Sequence, residues 1–239
     1  MDIYVKDVPT LIGDFLGCLP ALQELAKNNN VYIEEISDYK SLYSLIPKDQ
    51  SIHPTNLQGK PITYTISINN AFNNAHINNW YMSQAFFKEL NLYVPSTAPK
   101  AILSYDESPQ NDFYFISPFA RSLPPQQKWS QENWQSFVNI NKDKNFRVLG
   151  NTRFDEPNFI IGDNVSDFYD RDLRTVAGVL KSSNGLISVV TGTSHLAFHL
   201  SVKNIVLNNQ DMTWGRNPDA IHITTHIEQL KPITLSEYL

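Results

Sequence analysis

Residues 185–197 hold an apolar strand, a tight turn and a helix start, in that order. Gly185-Leu186-Ile187-Ser188-Val189-Val190 reads as the strand, Thr191-Gly192-Thr193-Ser194 as the turn, and His195-Leu196-Ala197 as the opening of the helix. A strand that passes directly into a helix returns to the sheet as a parallel neighbour, which commits this region to the α/β class. The turn also points backbone N–H groups, hydroxyls and an imidazole at one spot. Such a spot suits an anion, above all the phosphates of a nucleotide or sugar nucleotide.

The same alternation runs through the chain. Ile3-Tyr4-Val5 reads as a strand, followed by a loop from Asp7 to Gly13. Asp14 then reads as the cap of a helix with Phe15, Leu19, Leu22 and Ala26 at helical spacing. Strands are expected over 31–36 and 63–68, and a helix over 80–90. Residues 69–79 read as polar and turn-like. The stretch 37–62 stays open, because Pro47, Pro54 and Pro61 interrupt it. Pro95, Pro99 and Pro109 mark a linker over 93–111, dividing the chain into domains 1–110 and 111–239. In the second half, strands are expected over 113–117, 146–150, 158–162, 185–190, 204–207 and 221–224. Helices are expected over 131–140, 172–182 and 194–201, with a last helical turn at 235–239. The expected architecture is two Rossmann-like α/β domains with parallel sheets and ligands at the carboxyl ends of the strands.

Composition excludes several classes of function. The chain has 239 residues, is 41% hydrophobic and carries a net charge of −5 without a run of lysines, so it is not a nucleic-acid binder. A single cysteine, Cys18, rules out an internal disulfide framework and fits the reducing cytoplasm. No apolar run reaches the roughly 20 residues of a transmembrane helix. The amino terminus lacks the basic flank and small-residue cleavage site of a signal peptide.

Three segments carry candidate chemistry. Asp14 is either a helix cap, worth about 1 kcal/mol, or a carboxylate able to take a proton from an incoming hydroxyl. Ser117-Pro118-Phe119-Ala120-Arg121 leads from a strand end to Lys128-Trp129. There Arg121 and Lys128 either neutralise a diphosphate or are solvated charges over a buried Trp129. His195 is either a ligand for the same anion or a polar residue of a helical first turn. Lesser candidates are Trp214-Gly215-Arg216 in a loop and the pair His222 and His226 around one strand. Cys18 reads as core, and His53 and His76 as surface residues.

In combination these segments resemble glycosyltransferase family 9, the heptosyltransferase-like enzymes. Gly13-Asp14-Phe15-Leu16 with Leu19-Pro20-Ala21-Leu22 matches the family's amino-terminal signature. Lys128-Trp129-Ser130 with Glu132-Asn133-Trp134 matches its Lys-x-Trp segment, and Thr191-Gly192-Thr193-Ser194-His195-Leu196-Ala197 its last signature. The motifs occur in the family's order and span most of the chain. The resemblance implies a GT-B fold, with the two domains facing across a cleft. It also implies metal-independent, inverting sugar transfer from a nucleotide-diphosphate donor to a hydroxyl, with no cofactor. The acceptor class that the resemblance implies is a glycan, lipid-linked or protein hydroxyl, as in surface-glycan or lipopolysaccharide synthesis.

By the same resemblance Asp14 is the base, and Lys128, Thr191, Gly192, Thr193 and His195 hold the donor. Ser117 and Arg121 join them by position. Two features depart from the family: Val190 stands where it has an aspartate, and the first half is short. A module that binds a nucleotide sugar without turnover is therefore the alternative, and a nucleotide-sugar hydrolase a third.

Overall fold

A computed structural model describes residues 1–36, 38, 40–120, 129–208, 218–224 and 233–238. Two compact units emerge, one built on Met1–Tyr105 and the other on Asp106–Met212 with Asp219–Leu239.

The first unit contains β1 (Asp2–Lys6), α1 (Ile12–Ala26), β2 (Asn30–Glu34), α2 (Lys40–Tyr43), β3 (Ile52–Thr55), β4 (Tyr64–Thr65), α3 (Ile68–Asn78) and α4 (Met82–Glu89). Its four strands pair in parallel in the order β3-β2-β1-β4. The strands alternate in burial: Ile3, Val5, Val31, Ile33 and Ile52 enter the core. On the opposite face Tyr4 stacks on Tyr32 at 5.0 Å, and Tyr32 meets His53 at 5.3 Å. Helix α1 buries Phe15, Leu16, Leu19 and Leu22, with Cys18 among them. Gly17 sits against Met82 and Phe86, so α4 approaches α1 closely at a position without a side chain.

Several expectations for this unit need correction. Asp14 is not a cap: Leu11 occupies that position without a capping side chain, and Asp14 is the third helical residue. The strand expected over 63–68 shrinks to Tyr64–Thr65. Ser67 then caps α3, its hydroxyl accepting from the Asn70 N–H at 3.2 Å. Residues 69–79, read as turn-like, are that helix; it buries only Ala71 and Ala75 and ends on Asn79 in the left-handed region. The open stretch 37–62 holds α2 and β3, with Pro54 inside β3 on the edge of the sheet, where a missing N–H is tolerated.

The second unit contains β5 (Tyr114–Ser117), α5 (Gln131–Ile140), β6 (Phe146–Gly150), β7 (Val165–Tyr169), α6 (Leu173–Lys181), β8 (Gly185–Val189), α7 (Gly192–Leu200), β9 (Asn204–Asn208) and β10 (Ile221–Thr224). All six strands are parallel, in the order β10-β9-β8-β5-β6-β7. From β5 the chain builds outward through β6 and β7, then returns to β5's other side and builds outward through β8, β9 and β10. This is the Rossmann order, with its reversal between β5 and β8.

The strand expected over 158–162 is absent, and the third parallel strand is β7 instead. As an edge strand with Ser166 and Asp167 exposed, β7 lacks the apolar run that marks a central strand. Helix α7 also starts earlier than 194, directly after Thr191. Trp134, Phe137, Phe146, Ile187 and Val189 form the core. Buried Asn141 ties the C-terminal turn Leu235–Glu237 to α5: its amide donates to the Ile233 carbonyl at 3.0 Å and accepts from the Leu235 N–H at 2.8 Å.

Candidate functional site

Each unit has one point where its strand order reverses, and a candidate segment lies at each. In the second unit, β5 ends at Ser117 and β8 ends at Val189, side by side, with Ser117 in register with Ser188. A crevice at the carboxyl ends of such a strand pair is where open α/β sheets bind ligands. The turn Thr191-Gly192-Thr193 follows β8 there. Thr193 Oγ1 donates to Ser117 Oγ at 2.8 Å, so the two segments, 76 positions apart, are joined at the reversal.

The turn has a fixed local shape. Thr191 is fully extended (φ −154, ψ 169) and serves as the N-cap of α7. Ser194 Oγ donates to the Thr191 carbonyl at 2.6 Å and accepts from the Thr191 N–H at 3.3 Å. Gly192 and Thr193 are the first two residues of the helix, so their N–H groups have no acceptor within it. Those dipoles and the helix end favour an anion. Thr191, Gly192 and Thr193 stay half-buried, whereas Ser194 is buried.

His195 follows on the same turn and is half-buried. Burial pushes its imidazole down to about 4, so it is neutral at pH 7. A neutral imidazole offers a hydrogen bond rather than a positive charge. Val190, between β8 and the turn, is half-buried and offers no polar side-chain atom. Arg121 and Lys128 lie outside the described residues, as do Trp214-Gly215-Arg216 and His226.

In the first unit the order reverses between β1 and β4. Helix α1 leaves the carboxyl end of β1, so Asp14, in its first turn, lies on the ligand side of that sheet. Asp14 is half-buried, and that burial raises its carboxyl above the ordinary aspartate range. One turn further on, the Cys18 thiol is pushed up by burial and, secondarily, by the Asp14 charge. No described residue forms a hydrogen bond or ion pair with the Asp14 carboxylate. A carboxylate with a raised pKa and no partner among the described residues is equipped to accept a proton.

Two groups of residues in the second unit carry little mark in the sequence. One is Ser194 as the residue that fixes Thr191; a hydroxyl three positions after an N-cap threonine is the signal that points to it. The other is a set of half-buried aromatic rings at the carboxyl ends of β5 and β7. Phe119 meets Phe159 at 5.0 Å and Tyr169 at 6.2 Å. Phe119 follows directly on the strand that ends at Ser117, but Phe159 and Tyr169 come from segments without a local signal. Among the described residues, no group of three or more His, Cys, Asp or Glu is placed to hold a metal ion. No helix among them is long and apolar enough to cross a membrane.

Two parallel-sheet α/β units of this kind are the architecture of the GT-B class of glycosyltransferase folds. Within that class the fold is that of the heptosyltransferase-like enzymes. The glycosyltransferase TibC of enterotoxigenic E. coli superposes with a TM-score of 0.69 at 14% identity, over 93% of this chain. The chain spans 61% of TibC's length. The E. coli ADP-heptose heptosyltransferase II gives 0.69 at 13% identity, covering 93% of this chain and 90% of that one. A family 9 glycosyltransferase from Veillonella parvula gives 0.64 at 11% identity, covering 94% and 86%. No protein-family model matches the sequence, and no curated protein matches it.

Proposed function

We propose that the protein is a glycosyltransferase that moves a sugar from a nucleotide-diphosphate donor to a hydroxyl acceptor, with inversion and without a metal ion. The observation that supports this reading is the Thr193–Ser117 bond, which joins the turn after β8 to the end of β5 at the strand reversal. Thr191, Gly192, Thr193 and His195 hold the donor diphosphate in this reading, and Lys128 and Arg121 supply the positive charge. Phe119, Phe159 and Tyr169 offer ring surface for the nucleobase. TibC has been crystallised with ADP-D-beta-D-heptose, and a nucleotide sugar of that type is the donor class proposed.

In the reaction, the acceptor oxygen attacks the anomeric carbon and the bond to the diphosphate breaks. The hydroxyl proton passes to Asp14, and the nucleoside diphosphate leaves with the electron pair. A base on one side of the carbon and charge stabilisation on the other are the two requirements of in-line displacement. Domain 1–110 supplies the acceptor side and 111–239 the donor side. The acceptor class is a glycan, lipid-linked or protein hydroxyl. Action in the cytoplasm fits a single, buried, reduced thiol.

Val190 favours a second reading, a module that binds a nucleotide sugar without turning it over. Donor turnover separates the two. Under the transferase reading, wild type consumes a nucleotide sugar in the presence of an acceptor, whereas Asp14→Ala binds it without consuming it. Tight binding with no turnover on any acceptor supports the module instead.

A further inference from the structure

Beneath the phosphate turn lies a run of buried polar side chains in an otherwise apolar layer. All five residues of β8 are buried, and Ser188 among them is 0% exposed. Asn204 opens β9 and is 3% exposed, as is Ser194. Buried polar groups are kept only where they are bonded, since an unmade bond there leaves the full desolvation cost. These three are bonded to one another in sequence. Ser188 Oγ donates to Asn204 Oδ1 at 3.3 Å, and Asn204 Nδ2 donates to the Ser194 carbonyl at 3.5 Å. Ser194 Oγ then reaches the Thr191 carbonyl at 2.6 Å and takes the Thr191 N–H at 3.3 Å. The Ser194 N–H adds a second donor to the same carbonyl at 3.0 Å.

One side chain therefore holds both backbone polar groups of Thr191. Its own residue is in turn held from the sheet by Asn204. The direction of the Gly192 and Thr193 N–H groups follows from the Thr191 backbone, because they are the next two residues of the chain. Groups that bind a ligand act best when a supporting layer has already fixed them.

We propose that Ser194 and Asn204 are positioning residues for the phosphate turn, a buried relay from the centre of the sheet that presets Thr191 and the first turn of α7 for a diphosphate. This rests on the donor-site reading above. Neither residue touches the ligand; both act through Thr191.

The test is calorimetric titration of the full chain with ADP, UDP and inorganic pyrophosphate, comparing wild type with Ser194→Ala, Ser194→Thr, Asn204→Leu and Ser188→Ala. Loss of one such hydrogen bond corresponds to about a tenfold weakening. Ser194→Ala and Asn204→Leu each weaken binding by about that factor, and the double variant weakens it by less than the product of the two, because both act through one path. Ser194→Thr, which keeps the hydroxyl, restores most of the affinity. In donor turnover the loss falls on KM and leaves kcat in place.

A purely structural role would lower the melting temperature and leave the affinity of the folded protein unchanged. Variants that fold and bind within twofold of wild type therefore overturn the proposal alone. If Ser194→Ala does not fold, Asn204→Leu and Ser188→Ala decide by the same criterion. Wild type that binds none of the probes overturns this proposal and the donor-site reading together.

Discussion

Thr193 and Ser117 meet hydroxyl to hydroxyl at 2.8 Å, and they do so at the point where the strand order of the six-stranded sheet reverses. The bond joins the turn after β8 to the end of β5, the two central strands. It makes one surface out of two segments that local sequence signals treat separately.

Thr193→Val should accordingly weaken nucleoside-diphosphate binding. The variant keeps the shape of the side chain and loses the hydroxyl, leaving the buried Ser117 without this partner. A net loss of about 1 kcal/mol, or roughly a fivefold weaker dissociation constant, is expected. Isothermal titration checks it, and an unchanged constant would count against Ser117 and Thr193 forming the anion surface.

Asp14→Asn should abolish transfer, with a rate loss of about 10²–10⁴, while donor binding persists. The same variant should be more stable than wild type at pH 7. Burial raises the Asp14 carboxyl in the folded state, so the stability it contributes is present when it is protonated and is lost as pH rises through the folded pKa. Melting curves at pH 7 and near pH 3.5 test this: the gap between variant and wild type narrows toward acid. A variant less stable than wild type at pH 7 contradicts the account.

His195 makes the opposite pH prediction. Its folded-state pKa is depressed to about 4 from the ordinary 6.5. Its contribution to stability is therefore complete above about pH 6.5 and falls as pH drops toward 4. His195→Gln removes that titration. Wild type should lose more stability than the variant between pH 7 and pH 4.5, measured by denaturant unfolding. Parallel losses would mean that the imidazole is not desolvated.

Gly178→Ala tests the packing of the Asp106 backbone on α6 within the second unit. Helix propensity alone says that alanine stabilises a helix interior by about 1 kcal/mol relative to glycine. Here a Cβ would lie 1.7 Å from the Asp106 carbonyl oxygen. Asp106 is held in place by Arg174, whose guanidinium reaches its carboxylate at 3.0 Å, and by the Thr175 hydroxyl at 3.1 Å. The clash should win, and the variant should lose about 2–3 kcal/mol in chemical denaturation. A stabilised variant would contradict the close approach.

What was legible in the sequence was local. The Thr191–Thr193 turn, the helix after it and the strand before it lie within one short stretch, so their succession is visible in order. The α/β alternation is visible for the same reason, since central strands such as β8 are continuous apolar runs. Helix α3 was missed because Asn69, Asn70, Asn73, Asn74 and Asn78 are poor helix formers, and only Ala71 and Ala75 face the core. Strand β7 was missed because an edge strand need not be apolar. Asp14 was misread as a cap because Leu11, the true N-cap, carries none of the usual capping groups. The Ser117–Thr193 contact and the Ser188–Asn204–Ser194 relay depend on which strands are neighbours, and strand order is not written in any local pattern.

The central claim is that the turn after β8 is a diphosphate site. Amide chemical-shift mapping of the isotope-labelled full chain, titrated with ADP and UDP, addresses it most directly. The predicted result is saturable shifts at Gly192, Thr193, Ser194 and His195, together with Ser117 at the end of β5. At a ligand concentration 100 times the dissociation constant, binding should also stabilise the fold by about 2.7 kcal/mol. Shifts that avoid those residues, or no shifts with either nucleotide, would contradict the account.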